Sequence, residues 1–205
     1  MNQRSFIKDL EMSRGIVCAT DLATIQSMIP GCKDVRIATI SQDKAGTDYI
    51  ATLRGGAEIL IDGKTREKGV RAKWRNHHIP ELALEKWSVI PNSSCPNGKV
   101  GWSLCETKQT DMVLYTFNPA DSLTCFLFPF QHLRMAFRKN IKYLYANFKV
   151  APQSSQHGSH SWQSECVFVP ENILWNLIEK ESVKTFSEAI GEGNPRDEIQ
   201  LSFGL

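Results

Sequence analysis

The sequence predicts an α/β protein in which a mixed central β-sheet, containing an antiparallel meander, is flanked by helices. Three observations carry that expectation. Helical periodicity opens the chain, three short β-branched runs follow in close succession, and later strand-like runs alternate with two more helical stretches. The 205 residues, 41% hydrophobic and 22% charged, suit a single domain over 1–205 with a real core, its central part at 5–150 and a strand-helix extension at 151–205.

Residues 5–31 read as helix in two pieces. "SFIKDLEMSRG" carries Phe6, Ile7 and Leu10, while "TDLATIQSMIPG" starts at a capping residue, Thr20 or Asp21, and stops at Pro30 and Gly31. The period then changes. "VRIATI" (35–40), "DYIATL" (48–53) and "EILIDGK" (58–64), separated by "SQDKAGT" and "RGG", form a three-stranded meander. "LALEKWSVI" (82–90) is a strand, "NSSCPNG" (92–98) a loop, and "KVGWSL" (99–104), "TDMVLYTF" (110–117) and "CFLFPF" (125–130) continue the sheet. Leu133, Phe137, Ile141 and Leu144 make a helical stripe. The polar stretch 151–164 reads as a loop, "ECVFVP" (165–170) as a short strand and "ENILWNLIEK" as a helix.

No run of eighteen apolar residues occurs and the N-terminus lacks the layout of a secretion signal, so the expectation is a soluble, cytoplasmic protein with no membrane partner. Six scattered cysteines without a CxxC pair point to reduced, mostly buried thiols. His77, His78, His157 and His160 have no cysteine at zinc-site spacing and do not form a zinc motif. There is no GxSxG for a serine nucleophile and no phosphate-binding P-loop, so no nucleotide cofactor is expected. The net charge of +2 is small but uneven. "KTREKGVRAKWR" (64–75) holds six basic residues against one acid. By itself such a segment reads as a solvated charged face; beside a phosphate-handling site elsewhere in the chain it would track a phosphate backbone, which makes Arg66, Lys68, Arg71, Lys73 and Arg75 candidate DNA-binding residues and Trp74 a candidate stacking surface.

The residues that carry chemistry lie in the meander. Successive strand residues face opposite ways, so in "EILIDGK" Ile59 and Ile61 share one face while Asp62 and Lys64 share the other. Two charges on a covered face are costly without a purpose. Asp48 opens the middle strand, and across an antiparallel ladder the start of one strand lies beside the end of the next, so Asp48 approaches Asp62. Two carboxylates at close range are relieved by a hard divalent cation, which makes Asp48 and Asp62 metal ligands for Mg²⁺, with Mn²⁺ as an alternative ion. Lys64 beside them would position or activate a water, as a base of lowered pKa if it is desolvated near the ion. Glu58 is roughly 13 Å along the strand and therefore structural. Glu81 and Glu85 read as a solvated sheet edge, and Asp111 as a cap at the start of a strand.

"TD" at 47–48 and "DGK" at 62–64, the latter after the apolar "ILI", resemble the PD-(D/E)xK nuclease superfamily, whose restriction-endonuclease-like core is a helix, a three-stranded meander, a helix and a further strand. The resemblance covers roughly residues 5–150. It implies a Mg²⁺-dependent deoxyribonuclease, a phosphodiester hydrolase acting most naturally as an endonuclease, with DNA as partner and the choice between one copy and a homodimer left open. Some members add a glutamate from the first helix, which makes Glu11 a further catalytic candidate. Two departures stand: Thr47 replaces the usual proline, and the segment after Lys64 is not a clear amphipathic helix. The competing expectation is a non-catalytic nucleic-acid-binding or inhibitor protein that retains the nuclease fold.

Overall fold

Apolar residues at helical spacing and β-branched runs broken by glycine turns leave few ways to fold the first half of the chain. The computed structural model describes residues 4–5, 22–67, 71–74, 77–118, 124–157 and 160–190. Arg4–Ser5 form a two-residue strand, β1, rather than the start of a helix; the rest of the first expected helical piece lies outside the described residues. Helix α1 (22–28) stops ahead of Pro30 and of Gly31, whose φ of 74° turns the chain into the first meander strand. That meander is β2 (Cys32–Ile37), β3 (Tyr49–Leu53) and β4 (Glu58–Glu67), with a short helix α2 (Ile40–Lys44) between the first two. Thr39 and Gln42 close a reciprocal capping box at the start of α2.

The chain then leaves this sheet for β5 (Arg71–Trp74), β6 (His77–Val89), β7 (Lys99–Val100) and a 3₁₀ turn at Trp102–Leu104. It returns as β8 (Met112–Asn118) and β9 (Thr124–Pro129) before α3 (Phe130–Asn147). A long hairpin, β10 (Val150–His157) and β11 (His160–Pro170), leads into α4 (Glu171–Ile190). Five strands make a mixed sheet in the order β2-β3-β4-β8-β9, in which β4 and β8 run parallel and every other pair antiparallel. The other six make a second sheet, β1-β10-β11-β6-β5 with β7 also on β6, antiparallel apart from β1.

The α/β class and the mixed sheet therefore stand, but the protein has two sheets where one was expected. The stretch 151–164 is not a loop. Its serines, glutamines and histidines pair backbone to backbone from Val150↔Val167 to His157↔His160, a ladder that needs no apolar side chains to form. "KVGWSL" is a strand only at its first two residues, because the chain turns at Gly101 into the 3₁₀ turn.

Two clusters fill the two faces of the mixed sheet. Ile25 of α1 and Ile29 just after it pack on Val35, Tyr49, Ala51, Ile61 and Leu114. On the other face Tyr115, Phe117 and Phe128 meet Leu82, Leu84, Val167 and Val169 of the second sheet, together with Leu133 and Phe137 of α3 and Leu174 and Ile178 of α4. One core thus joins both sheets to both long helices. Burying a side chain of that size is worth about 1.5–3 kcal/mol, so this shared face is a main source of stability. No helix among the described residues is long and apolar enough to cross a membrane.

Candidate active site

Strand β4 has to satisfy two surfaces, since it is central in a sheet covered on both sides. Ile61 points at α1, whereas Asp62 and Lys64 point at the second sheet, being in register with Val113 and Tyr115 of β8. Lys64 and Asp62 lie mid-strand rather than at its end, because β4 continues to Glu67. Asp62 is only 2% exposed. The charged pair therefore sits between the layers.

Asp48 lies just before β3, where its amide donates to the Ile61 carbonyl at 2.8 Å and its carboxylate Oδ2 accepts from the Gly63 amide at 2.6 Å. That brings it beside Asp62, close enough for the two carboxyls to share a hydrogen bond when Asp48 is protonated. Lys64 Nζ donates to Asp62 Oδ1 at 2.7 Å and to the Gly63 carbonyl at 3.2 Å, and it lies 5.8 Å from the centre of the Trp102 ring. The three residues nominated from the sequence as ligands and water-positioning group converge. Gly63 between them is needed for space: a Cβ there would stand 3.0 Å from the Tyr49 ring and 3.4 Å from Asp48 Oδ2.

Electrostatics follow from burial. Desolvation, with a smaller contribution from the neighbouring Asp62 charge, raises the Asp48 carboxyl from 3.8 to about 6 even though Lys64 pulls the other way. For Lys64, burial disfavours the ammonium, but the charges of Asp62 and Asp48 outweigh it and the pKa stands above the ordinary lysine value. Two carboxylates beside one ammonium keep it charged.

Two further groups complete the site. Glu85 of β6 is not on a solvated edge: β6 lies between β11 and its partners on the other side, and the Glu85 carboxylate is held by the Trp102 amide at 3.2 Å. Burial raises its pKa against the pull of that amide and of Lys64. Lys108, from the loop before β8, brings Nζ to 3.0 Å from Asp62 Oδ2. That contact is an ion pair without hydrogen-bond alignment, so Oδ2 is buried and carries no hydrogen bond. Nothing in "CETKQTD" announces Lys108, since it arrives through a loop whose path depends on the β4–β8 pairing. Glu85 had a signal, the alternation of Glu81 and Glu85 in an otherwise apolar strand.

A pocket of about 220 Å³ opens beside this cluster, lined among others by Lys64, Arg66, Glu85, Trp102 and Tyr115. Arg66 is turned into it, donating to the Glu81 carbonyl at 2.7 Å and stacking 4.7 Å from the centre of the Phe168 ring. Arg71 and Lys73 lie on the edge strand β5, while Lys68 and Arg75 lie outside the described residues, as does Glu11. Trp74 is the last residue of β5. Asp111 Oδ2 accepts the Leu60 amide at 2.8 Å, and Glu58 pairs with Arg36 at 3.3 Å on the surface, so both do structural work away from the cluster.

No group of three or more His, Cys, Asp or Glu side chains gathers at metal-binding distance among the described residues. Among the described residues Cys32, Cys95, Cys105, Cys125 and Cys166 are free thiols and Cys166 alone is buried, which corrects the expectation of mostly buried cysteines; Cys18 lies outside the described residues. The chain matches no family model, no curated protein and no solved structure.

Proposed function

We propose that this protein is a metal-dependent nuclease hydrolysing DNA phosphodiester bonds, an endonuclease on a restriction-endonuclease-like core. The observation that carries the reading is the convergence of Asp48, Asp62 and Lys64 on a covered sheet face. Holding a buried carboxylate against a second, half-buried one and an ammonium is costly unless the group does chemistry. The order of elements supports it as well: α1, the meander β2-β3-β4, then β8 parallel to β4. Strands β5 to β7 stand where that core would have its second helix, which is a departure from the pattern.

The donor set suits a hard divalent ion, Mg²⁺ or Mn²⁺. Asp62 Oδ2 is a buried carboxylate oxygen that meets Lys108 in an ion pair without a hydrogen bond, and burial keeps the Asp48 carboxyl hard to ionise even with Lys64 beside it. Mg²⁺ commonly takes one or two carboxylates and keeps several waters, so a pair of aspartates suffices. Asp48 and Asp62 would hold it, and the bound ion supplies positive charge against a phosphate oxygen and an ordered water. Lys64, whose ammonium is favoured by Asp62 and Asp48, would orient that water or the phosphate by donating hydrogen bonds. Arg66 in the adjoining pocket and the basic residues of β5 would bind the DNA backbone.

One observation favours a second reading, a nucleic-acid-binding or inhibitor protein without catalysis. Lys64 and Lys108 both pair with Asp62, so that carboxylate is already neutralised by side chains of this chain. Incubation of supercoiled, linear and branched DNA with Mg²⁺ or Mn²⁺, beside Asp62→Ala and Lys64→Ala variants, decides between them. Metal-dependent cutting lost in both variants is the expected result. Binding without cutting by the wild type would favour the second reading, and no binding at low salt would sink both.

A further inference from the structure

Asp62 is neutralised twice, and the two lysines are not equivalent. Lys64 donates a 2.7 Å hydrogen bond to Oδ1 from the same strand. Lys108 stands 3.0 Å from Oδ2 without making one. A lysine recruited only to steady a buried carboxylate would align with the oxygen it neutralises, because the unaligned contact forfeits the hydrogen-bond part of the interaction.

The loop around Lys108 is nonetheless built to hold it there. The Gln109 amide donates to the Ala45 carbonyl at 3.0 Å, the Thr47 hydroxyl donates to the Gln109 carbonyl, and the Thr110 hydroxyl donates to the Gly46 carbonyl. Gly46, at φ 96°, leaves room for the lysine stem: a Cβ would fall 2.6 Å from Lys108 Cγ. The Lys108 side chain is 9% exposed, and its charge is held beside that of Lys64, which repels it. Backbone locks at 45–47 and 109–110 thus place one ammonium against the buried Asp62 oxygen that has no hydrogen bond.

We propose that Lys108 is the resident counter-cation of this site, standing where a divalent ion would carry its charge and giving way when that ion binds. The inference rests on the reading of Asp48 and Asp62 as metal ligands. Lys108 therefore sets the metal affinity, keeping the empty site neutral and opposing loading by a competing charge. A like charge within a few ångströms of the ion opposes binding strongly in so buried a place.

Calorimetric titration of Mn²⁺ into the full chain, without DNA, tests this with wild type, Lys108→Met, Lys99→Met and Asp62→Asn. Methionine keeps the apolar stem and removes the charge. Lys108→Met should bind Mn²⁺ about tenfold more tightly or better, with Lys99→Met, a change on exposed β7, matching wild type and Asp62→Asn losing the site. Unchanged or weaker binding by Lys108→Met, or equal tightening by Lys99→Met, overturns the inference while leaving the nuclease reading intact. If neither wild type nor Lys108→Met binds Mn²⁺, both fall. Should Lys108→Met fold poorly, Lys108→Gln replaces it, and the rise in melting temperature on adding Mn²⁺ should be larger for the variant than for wild type; an equal or smaller rise counts against the proposal.

Discussion

The carboxylate of Asp48 accepts the amide hydrogen of Gly63 at 2.6 Å, and that one bond ties the entry of β3 to the midpoint of β4. It fixes the carboxylate beside Asp62, and the missing side chain at 63 leaves room for the Tyr49 ring, which a Cβ would meet at 3.0 Å. Gly63→Ala should therefore disturb the site more than the core. The new methyl presses on the Tyr49 ring and reaches Asp48 Oδ2, with an expected loss of about 1–3 kcal/mol in urea unfolding. Under the nuclease reading proposed above, cleavage should fall by about a hundredfold, since a displaced ligand costs more in rate than in stability.

Asp48 also makes stability depend on pH in a defined direction. Its pKa is about 6 in the folded chain against 3.8 ordinarily, so between those values the folded state holds a proton that the unfolded state has released. Stability from this group is therefore full below about pH 4 and is lost as pH rises to about 6, a change on the order of 3 kcal/mol. Asp48→Asn keeps an acceptor for the Gly63 amide and removes the titration. Urea melts at intervals from pH 4 to 7 should show the variant gaining on wild type as pH rises.

Glu85 separates a hydrogen-bond role from a charge role. Its carboxylate accepts the Trp102 amide, while burial penalises its charge. Glu85→Gln should stay within about 1 kcal/mol of wild type, because the amide side chain still accepts. Glu85→Ala leaves the Trp102 amide without that acceptor and should cost about 1–3 kcal/mol. Equal losses in both variants, measured by thermal unfolding, would mean that the charge matters more than the bond.

Tyr115 links the two sheets through a polar contact. Its hydroxyl accepts the Ala83 amide at 2.9 Å, and burial pushes its pKa up to about 12. Tyr115→Phe should lower stability by about 1–3 kcal/mol by stranding that amide. Because both sheets share one core, denaturation followed by tryptophan fluorescence and by circular dichroism should still give coincident transitions. Separate transitions would show that the sheets unfold independently.

The meander was legible because its strands are β-branched and its turns carry glycine, and because "TD" and "DGK" fall where an antiparallel ladder joins them. Helices α3 and α4 were legible from the spacing of Leu133, Phe137 and Leu144 and from the apolar run around Leu174. The second sheet was not. Strand β10 is written in Ser, Gln and His, whose side chains give no sign of the backbone pairing with β11. Glu85 read as an edge residue because the strand it pairs with, β11, is far away in sequence. Lys108 was invisible for a similar reason: what matters about it is the company it keeps, and a single chain segment does not state that company.

The parallel pairing of β4 with β8 bears on how the molecule is made. Parallel neighbours need a crossover, and here the chain spends residues 68–111 elsewhere before returning, much of that span going into β6, which waits for β11 near the C-terminus. During synthesis Asp48, Asp62 and Lys64 emerge early, yet the strand that walls them in arrives later and the sheet that covers them later still. Long-range closures of this kind slow folding and leave the unfinished meander with an open edge. A ribosome-bound chain ending near residue 110 should therefore hold its three charged residues in water, and only the emergence of β8 and then of β11 encloses them in the finished cluster.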